Sequence, residues 1–294
     1  PPLHLRRICP ILLIYIYGEI RQNMITWVEI QSNNREAGSE MKYHLDTIPV
    51  WDAYRANGEC PLCILEEQSE KFNISSFLGG SVMEPDVRTE VNKKGFCPRH
   101  NGLLYNAQNR LGLALMTHTH VLETNREMKE RTDRLDQVLR NPGKASIPFL
   151  KKASGKRSAQ EAAIHAFSDW MKQNRDQCII CDRIHDALNQ YVYTILHLWE
   201  QDPEFRKTMS DSKGFCFSHL PLVLDMATEY LSSKQQGDFL KDLLPVQSRN
   251  MDRLEQELQW FTRKFDYRNQ DKSWGNSRDA LPRILQKLTG KFME

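Results

Sequence analysis

The sequence predicts an all-α protein that is built as two tandem, internally duplicated helical units. Apolar residues recur at steps of three and four, as in Met251, Leu254 and Leu258, which is the spacing of one helix face. No convincing alternation with period two appears, and residues 48–50 are the nearest strand candidate. Only 14 glycines and 13 prolines occur in 294 residues, which disfavours an all-β chain with many tight turns.

The composition is that of a foldable globular chain without a strong charge bias. Hydrophobic residues make up 40% of the chain and charged residues 27%. The 40 lysines and arginines nearly balance the 38 acidic residues, for a net charge of +2. This balance argues against a strongly basic nucleic-acid binder and against an acidic tail protein. The length is sufficient for two ordinary domains.

Six of the seven cysteines form two matching sets, and a histidine completes each set. The first set is CPLC at residues 60–63 with GFCPRH at 95–100, and the second is CIIC at 178–181 with GFCFSH at 214–219. From Cys63 to Cys97 the gap is 34 positions (97 − 63), and from Cys181 to Cys216 it is 35 (216 − 181). A two-copy repeat of this period indicates a tandem pair of domains and not a solenoid.

These two sets predict two metal sites. A CxxC pair and a CxxH pair each place two ligands on one turn, and Cys3His is a standard closed zinc site. Thiolate ligands favour zinc or an iron–sulfur centre over magnesium or calcium. We therefore predict two zinc ions per chain, with an iron–sulfur centre and then a redox dithiol as the less favoured alternatives. The predicted ligands are Cys60, Cys63, Cys97, His100, Cys178, Cys181, Cys216 and His219.

The near-constant spacing inside each copy predicts that each ion is held within one copy, so that each helical unit is stapled by its own Cys3His site. The alternative is a mixed arrangement, in which the CxxC pair of one copy meets the CxxH pair of the other. A mixed arrangement would couple the two units through shared sites. A disulfide framework is disfavoured because no credible signal peptide is present.

The N-terminal residues 1–40 have no counterpart in the duplication. Their one apolar run, residues 11–17, is shorter than the ~20 residues that a transmembrane helix needs. No small-residue cleavage site follows this run, as a secretory signal would require. We expect residues 1–40 to be an extension outside the fold, with Met41 as the natural start of a cytoplasmic protein that has no membrane association. A genuine membrane anchor in this stretch is the less favoured alternative.

The rest of the chain divides into four segments. The first helical metal-binding repeat is predicted to span residues 41–140 and the second to span 161–270. Residues 141–160 between them are basic and rich in Gly, Pro and Ser, which is typical of a linker. A C-terminal helix that ends at Gly290 is predicted within residues 271–294.

Proline and glycine predict several helix ends. Pro85 and Pro203 each follow an acidic residue, as prolines at the first helical position do. Gly95 and Gly214 suit the left-handed conformation beyond a helix end. A further helix is predicted to begin at or just after His100.

The sequence resembles an uncharacterised family of helical proteins from anaerobic bacteria. The resemblance rests on MKYHLDTIP from Met41, ECPLC from Glu59, the two GFC motifs and DALPRI from Asp279, and it covers about residues 41–290. It implies a bacterial cytosolic source and supports the duplicated cysteine motifs. It supplies neither an activity nor a substrate.

The leading functional hypothesis is a cytosolic, zinc-stabilised interaction or regulatory module with a protein partner. No catalytic residue is assigned, because four protein ligands leave a zinc ion no open position for a substrate. One alternative is a nucleic-acid-associated protein that uses the basic linker to contact phosphates. Another is an enzyme with a site between the two repeats.

Overall fold

The computed structural model describes residues 47–140 and 159–291, and every regular element in these two stretches is helical. The predicted all-α class is confirmed. Residues 48–50, the nearest strand candidate, lie in the first helix. Within the described stretches, no helix combines the length and the apolar character of a bilayer span. The predictions for residues 1–40 and for most of the linker concern residues outside these stretches.

The helices occur in the same order in both repeats. The first repeat contains α1 (Thr47–Arg55), α2 (Pro61–Leu78), α3 (Pro85–Lys94), α4 (Pro98–Asn106) and α5 (Arg110–Arg140). The second repeat contains α6 (Ala159–Asp176), α7 (Ile179–Gln201), α8 (Pro203–Asp211), α9 (Leu220–Tyr230) and α10 (Ser233–Arg263), and α11 (Ala280–Thr289) follows it. Short 3-10 turns lie at Gly80–Met83, Tyr267–Asn269 and Gly275–Ser277.

The duplication is also visible in the backbone at the CxxC motifs. Cys60 is the N-cap of α2 with φ −153° and ψ 120°, and Cys178 is the N-cap of α7 with φ −160° and ψ 119°. The CxxC motif therefore opens the second helix of each repeat with the same local conformation. The CxxH motif of each repeat lies at the start of the fourth helix.

Most of the predicted helix ends are found in the structure. Pro85 and Pro203 are the first residues of α3 and α8. A backbone N–H at this position has no partner within the helix, so proline, which has none, loses no hydrogen bond there. Gly95 ends α3 with φ +61° and donates its N–H to the carbonyl of Val91 at 2.8 Å. Gly214 has φ +71° but follows the end of α8 by three residues.

The helix predicted after His100 is two helices. Residues 107–109 separate α4 from α5, and Gln108 has φ +67°. The apolar spacing continues from Leu104 to Leu111 across this break, so periodicity alone could not reveal it. The second repeat is also interrupted between its fourth and fifth helices, at residues 231–232 between α9 and α10.

The two repeats share one hydrophobic core. Helix α2 packs against α7, and buried residues of both repeats form one continuous cluster. Phe205 of α8 is fully buried, and its ring lies edge-on to Trp51 and Tyr54 of α1, with centroid distances of 5.2 and 4.9 Å. Burying such a side chain contributes about 1.5–3 kcal/mol. The repeats are thus two copies of a sequence unit that stabilise each other, and the exact domain boundaries stay a prediction.

Helices α5 and α6 pack side by side as a hairpin, which we call the α5–α6 hairpin. Trp170 of α6 is buried, and its indole N–H donates to the carboxylate of Glu127 at 3.0 Å. The guanidinium of Arg131 lies over the same ring, 4.8 Å from its centroid. The hairpin begins shortly after His100 and ends directly before Cys178.

Helix α11 docks on the GFCFSH turn of the second repeat. The backbone N–H of Phe217 donates to the carbonyl of Lys287 at 2.9 Å, and the hydroxyl of Ser218 donates to the carbonyl of Thr289 at 2.8 Å. Lys287 is fully buried, and its ammonium donates to the carbonyl oxygens of Glu59 and Lys213. These contacts tie α11 to the starts of both α2 and α9.

Replacement of Gly214, the glycine of the second GFC motif, is expected to destabilise the protein even when the new residue is alanine. A Cβ at Gly214 would lie 2.0 Å from Oε1 of Gln247, which accepts the Phe215 N–H at 2.6 Å. We expect Gly214→Ala to lower the free energy of unfolding by about 2–4 kcal/mol, from left-handed strain and the loss of buried hydrogen bonds. Chemical denaturation measures this loss.

Gly237 provides the matched control. It lies inside α10 with open space around its Cα, so Gly237→Ala should raise the free energy of unfolding by up to about 1 kcal/mol. Equal effects of the two substitutions would contradict the assigned role of Gly214.

Candidate metal centres

The eight predicted ligands meet in two clusters. In each cluster the ligand atoms all lie within 4.8 Å of one another. Cluster A consists of Cys60, Cys63, Cys216 and His219, and cluster B consists of Cys97, His100, Cys178 and Cys181. The side chains predicted from the motif spacing therefore converge in the structure, and the binding of metal by the clusters stays a prediction.

The predicted pairing of the ligands within each repeat is wrong. Cluster A joins the CxxC pair of the first repeat to the CxxH pair of the second, and cluster B joins the other two pairs. The mixed arrangement is the one that the fold adopts. Exchanging the two repeats exchanges the two clusters, so they resemble the equivalent contacts of a two-fold symmetric dimer. Each cluster thus connects the repeats to each other.

The interatomic distances fit a single tetrahedral ion. A zinc ion with bonds of about 2.3 Å to sulfur and 2.0 Å to nitrogen has S···S edges of about 3.8 Å and S···N edges of about 3.5 Å. In cluster A, Nδ1 of His219 lies 3.2 Å from the sulfur of Cys216 and 3.5 Å from that of Cys63, and these two sulfurs are 3.6 Å apart.

Cluster B has nearly the same dimensions. Nδ1 of His100 lies 3.2–3.3 Å from the sulfurs of Cys97, Cys178 and Cys181. The sulfurs of Cys97 and Cys181 are 3.8 Å apart. All six cysteines of the clusters are free thiols, so neither cluster is a disulfide. The donor set and its spacing therefore fit the predicted ion in both clusters.

Helix starts surround both clusters. Cys60 and His219 are the N-caps of α2 and α9 at cluster A, and Cys97 and Cys178 are the N-caps of α4 and α7 at cluster B. The positive end of a helix dipole and its unpaired N–H groups stabilise a thiolate. The motifs thus place each cluster where two helix dipoles favour the charged ligand form.

The ligand side chains of cluster A strongly shift one another's pKa values. Hydrogen bonds from Cys60 and Cys63 hold the pKa of Cys216 far below its usual range, and the pKa of Cys63 is raised far above it. Burial disfavours the imidazolium of His219, but hydrogen bonds to Cys216 and Cys60 outweigh burial and raise its pKa to about 10. A positive charge is therefore strongly favoured among these thiols.

The two clusters differ in their exposure. All four ligands of cluster A are buried, whereas Cys97 is half-buried and Cys181 is exposed in cluster B. Helix α11 covers cluster A, and a Cβ on Gly290 just beyond it would lie 3.9 Å from the sulfur of Cys216. Because α11 follows only the second repeat, the two-fold relation between the clusters is broken at the surface.

Two carboxylates of α2 contact the outer nitrogens of the ligand histidines. Oε1 of Glu70 lies 3.2 Å from Nε2 of His100, and an oxygen of Glu66 lies 3.6 Å from Nε2 of His219. Burial lowers the pKa of His100, which favours the neutral ring that a metal ligand requires. A carboxylate on the outer nitrogen fixes the ring so that Nδ1 faces the thiols.

Sequence reasoning did not find Glu66 and Glu70. Their positions, three and seven residues after Cys63, are on the helix face that carries this ligand, and this spacing was the available signal. The corresponding residues of the second repeat are Ile184 and Leu188, so comparison of the two copies conceals their role. Buried Glu70 also pairs with Arg99 at 2.7 Å and with Lys291.

Replacing Glu70 by glutamine is expected to weaken metal binding at cluster B by about 10–100-fold, as loss of a carboxylate behind a ligand histidine does. Glutamine keeps the size of the side chain but loses its charge. Competition with a chromophoric chelator measures the affinity. Glu67→Gln is the control, because Glu67 lies on the same helix with its side chain 47% exposed and pairs with Lys71 at 2.6 Å. An equal loss in both variants would contradict a positioning role for Glu70.

Comparison with known proteins places this chain among bacterial relatives. The model of a family of unknown function, DUF6062, matches residues 41–294. The chain belongs to this family. This DUF6062 chain is 22% identical over 210 residues to an uncharacterized 23.9 kDa protein in the xynA 3'region of Caldicellulosiruptor sp. (strain Rt8B.4). The match covers 71% of this chain and 84% of that relative. No solved structure matches the chain. The resemblance seen in the sequence is confirmed.

Proposed function

We propose that this DUF6062 chain is a cytoplasmic zinc protein in which two structural ions join a duplicated helical scaffold, and that the scaffold serves as an interaction or regulatory module for a protein partner. The observation that carries the proposal is the pair of Cys3His clusters with tetrahedral edge lengths. Four protein ligands per site correspond to closed, structural zinc.

The compactness of the clusters supports a single ion over an iron–sulfur centre. Several irons would bind the ligands at different atoms and spread them more widely than one shared ion does. The S···S distances of 3.6 and 3.8 Å are those of ligands around one centre. Tetrahedral sites with sulfur and nitrogen ligands are typical of zinc.

The residues of the chain would bind both ions, and the four buried ligands of cluster A would also exclude water from its ion. Zinc requires deprotonated thiols and neutral imidazoles, so the clusters release protons when they bind it, and their affinity falls as the pH falls. Lys287 is buried beside cluster A, where burial lowers its pKa and the charges of Cys60 and Cys216 act to raise it. Its ammonium would balance part of the negative charge of three thiolates around a divalent ion. The clusters thus act by holding helices together.

Metal analysis of the purified full chain tests the proposal. We expect two zinc ions per chain, no acid-labile sulfide and no visible absorbance. Substitution with cobalt should produce the absorption bands of a tetrahedral thiolate site. Detection of iron with acid-labile sulfide would contradict the zinc assignment and indicate an iron–sulfur centre. A chain that binds no metal would overturn the proposal. The linker that the nucleic-acid alternative requires lies mostly outside the described residues.

A further inference from the structure

The two clusters differ in the access that they give to external reagents. Cys63 and Cys181 are the equivalent second cysteines of the two CxxC motifs, at an offset of 118 residues (181 − 63). Cys63 is only 4% exposed, whereas Cys181 is exposed to solvent. Because the two motifs have the same sequence pattern and the same N-cap conformation, this difference comes from the surroundings and not from the motif.

The surroundings of cluster A form a cover. Helix α11 is held over the turn from Cys216 to His219 by the Phe217 and Ser218 hydrogen bonds and by buried Lys287. No element of the described residues takes the corresponding position over Cys181. An incoming ligand can therefore reach a sulfur of cluster B directly, whereas at cluster A it must first displace α11.

We propose that cluster B is an exchangeable metal site, open at Cys181 to external soft ligands such as thiolates, and that cluster A releases its ion much more slowly. The inference rests on the proposed function and assigns different roles to its two sites. Exchange begins when an incoming sulfur binds the ion and the bond to the Cys181 sulfur breaks, with no change in oxidation state. The freed Cys181 thiolate then takes a proton from water. Repetition at the other ligands transfers the ion to the external ligand.

The position of cluster B gives this exchange a structural consequence. Cys97 and His100 lie at the start of α4, shortly before α5, and Cys178 and Cys181 lie at the start of α7, directly after α6. The cluster therefore closes the base of the α5–α6 hairpin. One backbone bond, from the Ile179 N–H to the Gly95 carbonyl at 3.2 Å, joins the same two segments. Loss of the ion from cluster B should loosen the hairpin, while cluster A and the α2–α7 packing stay intact.

Release kinetics of the zinc-loaded full chain test the proposal. In an excess of N-ethylmaleimide with a chromophoric zinc indicator, we expect two phases of one ion each. Mass spectrometry should show Cys181 alkylated at least about tenfold faster than its counterpart Cys63, because accessible thiolates react and buried ones do not. Cys181→Ser should abolish the fast phase and leave one slowly released ion.

Hydrogen exchange provides the second measurement. After the fast phase, exchange should increase in α5 and α6 and stay unchanged in α10 and α11. Release of both ions at one rate, or equal alkylation of Cys63 and Cys181, would overturn the inference and leave the proposed function standing. A chain that purifies with no metal and takes up none would overturn both.

Discussion

Replacing Cys63 and Cys216 together by serine is expected to leave one metal ion per chain, whereas replacing Cys63 and Cys97 together is expected to leave none. The first pair lies entirely in cluster A, and the second pair removes one ligand from each cluster. Pairing within repeats would reverse these outcomes, because Cys63 and Cys97 belong to the same repeat. Metal content per chain therefore decides the arrangement.

The loss of cluster A should also cost the chain most of its stability. Structural zinc contributes apparent free energies of about 10–16 kcal/mol in small peptides, against a net domain stability of about 5–15 kcal/mol. Cluster A joins the start of α2 to the start of α9, so its loss should destabilise both repeats in one transition. Denaturant unfolding of Cys63→Ser/Cys216→Ser measures the effect.

The matched control is Cys97→Ser/Cys181→Ser, which removes only cluster B. This variant should keep one ion and stay folded around the α2–α7 core, with a smaller loss of stability. If the cluster A variant does not fold, the metal content of this control still distinguishes the two pairings, because pairing within repeats predicts that it binds no ion. Independent unfolding of the two repeats in either variant would contradict a scaffold joined by shared clusters.

Glu59→Ala is expected to lower the free energy of unfolding by about 3–5 kcal/mol, because it removes a buried carboxylate that accepts charge-assisted hydrogen bonds from two arginines. Glu59 is 2% exposed and directly precedes Cys60. Its carboxylate pairs with Arg253 of α10 at 2.6 Å and with Arg283 of α11 at 3.3 Å. The substitution should therefore also loosen α11 over cluster A and speed the release of its ion.

Gln177 provides the control at the corresponding position of the second repeat. It is exposed and directly precedes Cys178, so Gln177→Ala should change the free energy of unfolding by less than about 0.5 kcal/mol. Thermal or chemical unfolding of the two variants gives the comparison. Similar effects of both substitutions would show that the Glu59 network does not anchor α11.

Local sequence patterns determined the class of the fold and the chemistry of the site. Helical periodicity, first-position prolines and the left-handed glycines depend on interactions within a few residues, which a single sequence displays. The same holds for CxxC and CxxH, because each motif fixes two ligands on one turn. All eight side chains that form the clusters could be named on this basis.

The pairing of the motifs was decided by the tertiary structure. Because both repeats carry the same motifs at nearly the same spacing, pairing within and between repeats satisfies the ligands equally well. The choice depends on how α2 packs against α7, which involves apolar contacts far apart in the sequence. Glu59 and Lys287 were likewise unpredictable, since a lone charged residue shows no pattern until the fold buries it beside its partner.

The sequence by itself thus determined what each turn of the chain can bind, since ligand type and helical spacing are local properties. Only the tertiary structure decided which turns meet and which cluster is covered. The reason is physical: the two copies carry the same ligand motifs at nearly the same spacing, and the packing of α11 against one of them alone makes cluster A closed and leaves Cys181 of cluster B open to solvent.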